Sequence, residues 1–201
     1  MSPRKNTPEH VAQLRDRLIS DARQIVRQHG AAALTMRALA AEAGCAVGLA
    51  YNVFTDRAAL VEAMVESELP ALVSAGEALR RSAGHGRIAD NLVTFADVFL
   101  HSPAVALADE VMADPSARER IAASATASGL APQSFPDVVA QYLAAEQAVG
   151  RIRPAVDTSA FGYLLASTLH NLLAAGPAWP RPDAAELHAV LAAVAEAISP
   201  S

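Results

Sequence analysis

Thr35-Met36-Arg37-Ala38-Leu39-Ala40-Ala41-Glu42-Ala43-Gly44-Cys45-Ala46-Val47-Gly48-Leu49-Ala50-Tyr51-Asn52-Val53-Phe54 is the stretch that decides the fold. Thr35 is a suitable N-cap for a short helix, and Gly44 is the residue that stops one. A second short helix then covers roughly Val47 to Val53. Small residues at Ala40, Ala43 and Ala50 fall where two helices would have to pass closely. The pattern is a helix-turn-helix whose second helix is short enough to enter a major groove.

Helical patterns continue on both sides. Upstream, Val11, Leu14, Leu18, Ala22, Ile25 and Val26 form one apolar stripe from about Glu9 to His29, and Gly30 is its expected stop. Downstream, Asp56 caps a long fourth helix expected to run through Leu60, Met64 and Leu72 to about Arg81. The loop Ser82-Ala83-Gly84-His85-Gly86 separates these helices from the rest. Further helices are expected near 88–101, 103–113, 116–128, 136–149, 157–175 and 183–198, with prolines and glycines falling between them. No strand-like alternation extends beyond a few residues. The expected fold is all-α: a three-helix head and a larger helical-bundle body. Residues 1–9 would be a flexible arm, 10–56 the helix-turn-helix domain and 57–201 the body.

Composition narrows the possibilities. Among 201 residues, 52% are hydrophobic and 18% charged, which excludes a disordered chain. Cys45 is the one cysteine, so no disulfide scaffold exists. Met1 to Arg17 is polar, without the apolar run of a signal peptide, and a cytoplasmic location is expected. Thr158 to Pro180 carries no Asp, Glu, Lys or Arg and could match a bilayer in length. Ser159, Ser167, His170 and Asn171 within it favour a helix buried in a protein interface. The net charge of −5 is unevenly spread. Residues 1–60 hold eight Arg or Lys against five acids, a balance of +3, and the remaining residues balance to −8. A basic head on an acidic body suits a protein whose head alone approaches a polyanion. The six histidines include no i, i+4 pair, and no nucleophile elbow or phosphate-cradling glycine loop is present. Neither an enzyme, a metal site nor a cofactor has support.

The order of residues in the head resembles the tetracycline-repressor (TetR) family of bacterial regulators. Gly30, Thr35, Arg37, Leu39, Ala40, Ala43, Gly44, Gly48, Tyr51, Phe54, Arg57 and Leu60 fall in register with that family's head. The resemblance spans about residues 10–65. It implies that Thr35, Arg37, Ala46, Val47, Gly48, Leu49, Tyr51, Asn52 and Arg57 form the DNA-binding surface. Each residue has a second reading. Thr35 is also an ordinary N-cap, Tyr51 a core ring, Arg37 a surface ion-pair partner, and Arg4 and Lys5 either an arm over DNA or a solvated tail. Arg57 stands where the family usually has lysine, keeping the charge on a planar fork able to hold phosphate.

Three departures bear on sequence readout. Ala46 replaces a common serine, Leu49 a common threonine, and Val53 an aromatic or histidine. Val47, Gly48 and Leu49 are implied to face base edges, where apolar groups can meet thymine methyls but cannot make bidentate hydrogen bonds. A weaker direct code and more reliance on DNA shape follow. Asn52 could bond a phosphate or an adenine. Cys45, in the turn, reads as a small apolar residue.

By the same resemblance, the body binds a small effector and pairs with a second copy. Met64, Phe95, Phe99, His101, Met112, Phe135, Tyr142, Phe161 and His170 are the candidate pocket residues. Leu164, Thr168, Leu172, Leu187, Val190, Leu191 and Val194, on the last two helices, are the candidate dimer face. The implied function is a repressor that binds a pseudo-palindromic DNA operator as a homodimer and is released by a small, mostly apolar effector. The alternative is a helical ligand-binding or scaffold dimer that has lost DNA binding.

Overall fold

The computed structural model describes residues 8–129, 134–174 and 182–200, and all regular structure in them is helical. The chain divides between Ser67 and Glu68 into two compact units. This division falls later than the expected boundary at 56/57, and the loop at 82–86 lies within the second unit.

In the first unit, α1 (Pro8–His29), a 3₁₀ turn (Ala31–Ala33), α2 (Met36–Glu42), α3 (Val47–Val53) and α4 (Arg57–Glu66) share one core. Leu18, Ala22, Leu34, Leu39, Ala50 and Leu60 are each fully buried. Arg17 donates from Nη2 to the Ala43 carbonyl at 2.7 Å, tying α1 to the end of α2. The boundary lies after Ser67 because α4 packs on α1 through Leu60, Val61, Ala63 and Met64. Arg23 of α1 reinforces this by donating to the Ser67 carbonyl (3.1 Å) and hydroxyl (2.8 Å).

The single long helix expected from Asp56 to Arg81 is two helices, α4 and α5 (Leu69–Arg81). Pro70 has no N–H, and its ring would clash with the Glu66 carbonyl in a continuous helix. It is tolerated in the first turn of a new one.

The second unit continues with α6 (Ile88–Leu100), α7 (Pro103–Ala113), α8 (Pro115–Ala127), α9 (Ser134–Ala148), α10 (Thr158–Ala174) and α11 (Ala184–Ile198). Their ends carry the expected signals. Asp114 caps α8, and Asp183 forms a reciprocal capping box with Glu186 on α11. The core is built from Leu92, Phe95, Tyr142, Leu143, Leu165 and Leu187 with their neighbours. Helix α10 crosses α9 most closely at Gly162, where an added Cβ would lie 2.7 Å from backbone atoms of Ala140.

A polar knot closes one end of this core. Asn91 Nδ2 donates to the His85 carbonyl (2.9 Å) and the Tyr142 hydroxyl (3.1 Å). Glu146, fully buried, accepts from the Gly84 N–H at 3.1 Å and pairs with Arg151 at 3.4 Å. Burial pushes the Tyr142 phenol above its ordinary range; the Asn91 hydrogen bond opposes this and Glu146 adds to it.

Among the described residues, no single helix is long and apolar enough to cross a membrane. Of the Thr158–Pro180 run, residues 158–174 are helix α10, which buries Leu165, Ala166 and Leu169 in this core. The remainder lies outside the described residues.

Two stability outcomes follow. Gly162→Ala must push α10 off the α9 backbone, so urea unfolding should show a loss of about 1–3 kcal/mol, although alanine is the better helix former. Unchanged stability would mean that the crossing relaxes freely. An unfolded tyrosine ionises near pH 10 whereas buried Tyr142 stays protonated, so the unfolded state binds fewer protons there. Stability should therefore fall as pH rises above about 10, and Tyr142→Phe should make that fall shallower in thermal unfolding.

Candidate nucleic-acid interface

Helices α2 and α3 are seven residues each, too short to persist alone, so their surroundings must hold them. The turn between them is set by the backbone. Gly44 has φ +61°, the Cys45 N–H bonds the Ala40 carbonyl at 2.9 Å, and the Gly44 N–H bonds that of Ala41 at 3.1 Å. This is the paired-bond helix stop that a left-handed glycine permits. Ala50 is buried against the rest of the unit, and Phe54 closes α3 from below, with the Arg15 guanidinium 5.4 Å from its ring centroid.

With one side anchored, α3 turns the other outward. Val47, Gly48, Tyr51 and Asn52 are all exposed, at the spacing that places them on one helical face. Tyr51 is half exposed, so the reading as a core ring does not hold. Leu49 is half-buried at the edge of this face. A Cβ added at Gly48 would meet nothing within 4 Å, so no contact within the chain requires glycine there. Ala46 precedes α3 and gives it no side-chain cap, as the missing hydroxyl predicts.

Thr35 is exposed and is the N-cap of α2, its Oγ1 accepting from the Ala38 N–H at 3.0 Å. Arg37, two residues on in the first turn of α2, is exposed. Arg57 differs from its expected role as a phosphate fork. Its Nε donates to the Leu34 carbonyl at 2.5 Å and its Nη2 to the Ala31 carbonyl at 3.0 Å. The guanidinium fastens the start of α4 to the loop that delivers Thr35. Sequence reasoning missed this because the partners are backbone carbonyls, which carry no residue-type signal. Arg4 and Lys5 lie outside the described residues.

In the second unit, the expected pocket residues do not converge. Met64 belongs to the core of the first unit. His101 and His170 are exposed, and the His101 ring is held by the Asp97 carbonyl of its own helix at 2.8 Å. Tyr142 is spent in the polar knot. Met112 and Phe161 are half-buried, the latter packed on the core. Phe95, Phe99 and Phe135 do meet, with ring centroids 5.1–6.0 Å apart. Phe95 and Phe135 also line a cavity of about 150 Å³ between α5 and α9, with Leu72, Val73, Gly76 and Val138. Gly129 also lines it, as do three polar residues, Arg80, Asp137 and Gln141. None of these three was singled out by sequence; only the one-turn spacing of Asp137 and Gln141 hinted at a shared face.

The candidate dimer face also needs correction. Leu187 and Leu191 are buried in the unit's own core, where α11 packs on α6, and Val194 packs against the same core. A clean apolar stripe was satisfied internally. Leu164 (52%) and Val190 (45%) are exposed, as is Tyr163 (67%), whereas Thr168 is half-buried. The side chain of Leu172 lies outside the described residues.

A helix-turn-helix head on an all-helical body is the architecture of a DNA-binding transcriptional regulator. Residues 18–64 match the sequence model of the bacterial regulatory proteins of the tetR family. No curated protein matches the chain. Among solved structures, it is similar to a protein of unknown function from Rhodococcus sp. RHA1 at 24% identity and a TM-score of 0.60, covering 96% of this chain and 100% of that one. It is similar to a TetR-family regulator from Agrobacterium tumefaciens at 16% identity and 0.64, covering 94% and 100%. It is also similar to FadR of Thermus thermophilus, a TetR-family repressor solved with lauroyl-CoA, at 19% and 0.50, covering 90% and 93%. Residues 18–64 thus carry the tetR-family sequence signature, and the fold of the described residues is similar to that of these solved structures.

Arg57→Ala should unfasten the loop before α2 and lower stability by about 1–2 kcal/mol, the worth of charge-assisted bonds to partly exposed carbonyls. Amide exchange at Ala33 to Thr35 should accelerate with it. Unchanged exchange there would contradict the fastening role.

Proposed function

We propose that this chain is a transcriptional repressor that binds a pseudo-palindromic operator as a homodimer and is released by a small effector held in the body. One observation carries the DNA-binding half: α3 turns Val47, Gly48, Tyr51 and Asn52 outward together while Ala50 and the Gly44 turn anchor its other side. In this reading Val47 and Gly48 approach base edges, and the Tyr51 hydroxyl bonds a phosphate. Asn52 is placed to bond a phosphate or an adenine. Thr35 and Arg37 meet the backbone at the start of α2, with Ala46 and Leu49 flanking the readout face. Arg57 acts through Thr35, by fixing the loop that presents it. The balance of +3 over residues 1–60 favours approach to a polyanion.

The dimer reading is supported by Tyr163, Leu164 and Val190, large apolar side chains left exposed on α10 and α11. A two-fold pair would present two heads to half-sites about one DNA turn apart. The effector reading is supported by the cavity in the second unit and by the lauroyl-CoA held in the similar Thermus thermophilus fold.

Fluorescence anisotropy with duplex DNA flanking the chain's own gene tests the reading. Affinity should fall steeply with salt, with a log–log slope of about −0.9 for each phosphate neutralised. Val47→Ala with Leu49→Ala should change the ranking among operator variants, and Tyr51→Phe should weaken all of them alike. No binding even at low salt would favour the scaffold alternative.

A further inference from the structure

We propose that the cavity between α5 and α9 is a site for a small monocarboxylate bearing one aromatic ring or a branched aliphatic group, with Arg80 receiving the carboxylate. This deepens the effector reading above and takes its regulatory meaning from it.

Size comes first. The cavity is about 150 Å³. Drug-sized sites run to roughly 300–1,000 Å³, whereas an apolar cavity of about 150 Å³ is filled by one benzene ring. Its walls suit such a group: Leu72 and Val73 on α5, Val138 on α9, and the rings of Phe95 and Phe135, 6.0 Å apart. Gly76 matters to this space. A Cβ there would already lie 3.2 Å from Val138 Cγ1, so a larger side chain would crowd the gap between the helices.

Polarity comes next. Arg80 lies one turn beyond Gly76 on α5 and meets Gln141 of α9, whereas Asp137 lies one turn before Gln141, next to the Val138 that faces Gly76; all three polar residues are exposed. Among the described residues, the one hydrogen-bond partner of the Arg80 guanidinium is Gln141 Oε1, at 3.3 Å. That is long for an N–H···O bond, and a guanidinium has five donors in a fork that matches a carboxylate. No ion pair within 4 Å joins Asp137 to Arg80 among the described residues. Asp137 has its own role in the first turn of α9, where a negative charge suits the helix dipole. Its presence in the lining sets the ligand's charge: one carboxylate can reach Arg80, but a second anionic group would meet Asp137.

Benzoate, benzyl alcohol and phenylalanine, titrated into the full chain and followed by thermal shift and isotope-edited NMR, test the inference. Benzoate should raise Tm and bind about three- to fivefold tighter than neutral benzyl alcohol, the gain expected of an exposed ion pair. Cross-peaks should connect its ring to the Val138 methyls. Arg80→Gln should bring benzoate down to the level of benzyl alcohol and leave benzyl alcohol unchanged, which also shows that the slot is intact. Equal binding of benzoate and benzyl alcohol, benzoate binding indifferent to Arg80→Gln, or no benzoate binding would each overturn the proposal. So would tighter binding of phenylalanine, which would make Asp137 an ammonium acceptor and the ligand a zwitterion. The DNA titration above uses no ligand, so the two readings fail separately: a chain that binds duplex and ignores benzoate contradicts only this one.

Discussion

A seven-residue helix cannot hold itself, and this constraint organises the first unit. Helix α3 fully buries only Ala50 among its own residues, so its position is set by what surrounds it. The Gly44 turn fixes where it begins, and Phe54 fixes where it ends. Arg17 holds the end of α2 from α1, and Arg57 holds the loop before α2 from α4. Because the anchoring is done from one side and by neighbours, the opposite side of α3 is free of structural duty. That division of labour leaves Val47, Gly48, Tyr51 and Asn52 exposed while the frame holds the helix in place.

The second unit meets a different constraint. Its helices are long enough to bury wide faces, and its own core takes up most of their apolar stripes, leaving Tyr163, Leu164 and Val190 exposed. The polar groups left inside are locked in the knot of Asn91, Tyr142, Glu146 and Arg151, which ties the loop at 82–86 to the end of α9. Among the described residues, one small cavity lies beside α5 and α9. A site there is defined more by the few polar groups in its lining than by its apolar walls.

The helix order and most helix ends were legible in the sequence, because Gly30, Thr35, Gly44 and Asp56 act locally and carry their conformational preferences with them. The break after Ser67 was legible in principle through Pro70, but a continuous apolar pattern from Leu60 to Leu72 masked it. The face of α3 given by Val47, Gly48 and Leu49 came from the family resemblance; packing leaves Val47 and Gly48 exposed, half-buries Leu49 and exposes Tyr51. What was not legible was the partner of each face. The stripe of Leu187 and Leu191 states that α11 is covered, not whether its own core or a second chain covers it. Arg57 and Arg80 look alike in the sequence; backbone carbonyls occupy one, and a single long bond donated to Gln141 Oε1 leaves the other available. Tertiary packing alone separates them.

The central claim is that α3 presents its outer face to DNA, and Gly48 tests it with effects of opposite sign. Nothing within the chain lies near the Cβ that an alanine would add, so Gly48→Ala should stabilise the protein by up to about 1 kcal/mol through helix propensity. If the groove surface packs against that position, the same change should weaken duplex binding several-fold. Stability and affinity measured side by side on this one variant are decisive. A more stable protein with weaker operator binding is the predicted result; a more stable protein with unchanged or tighter binding would contradict the account.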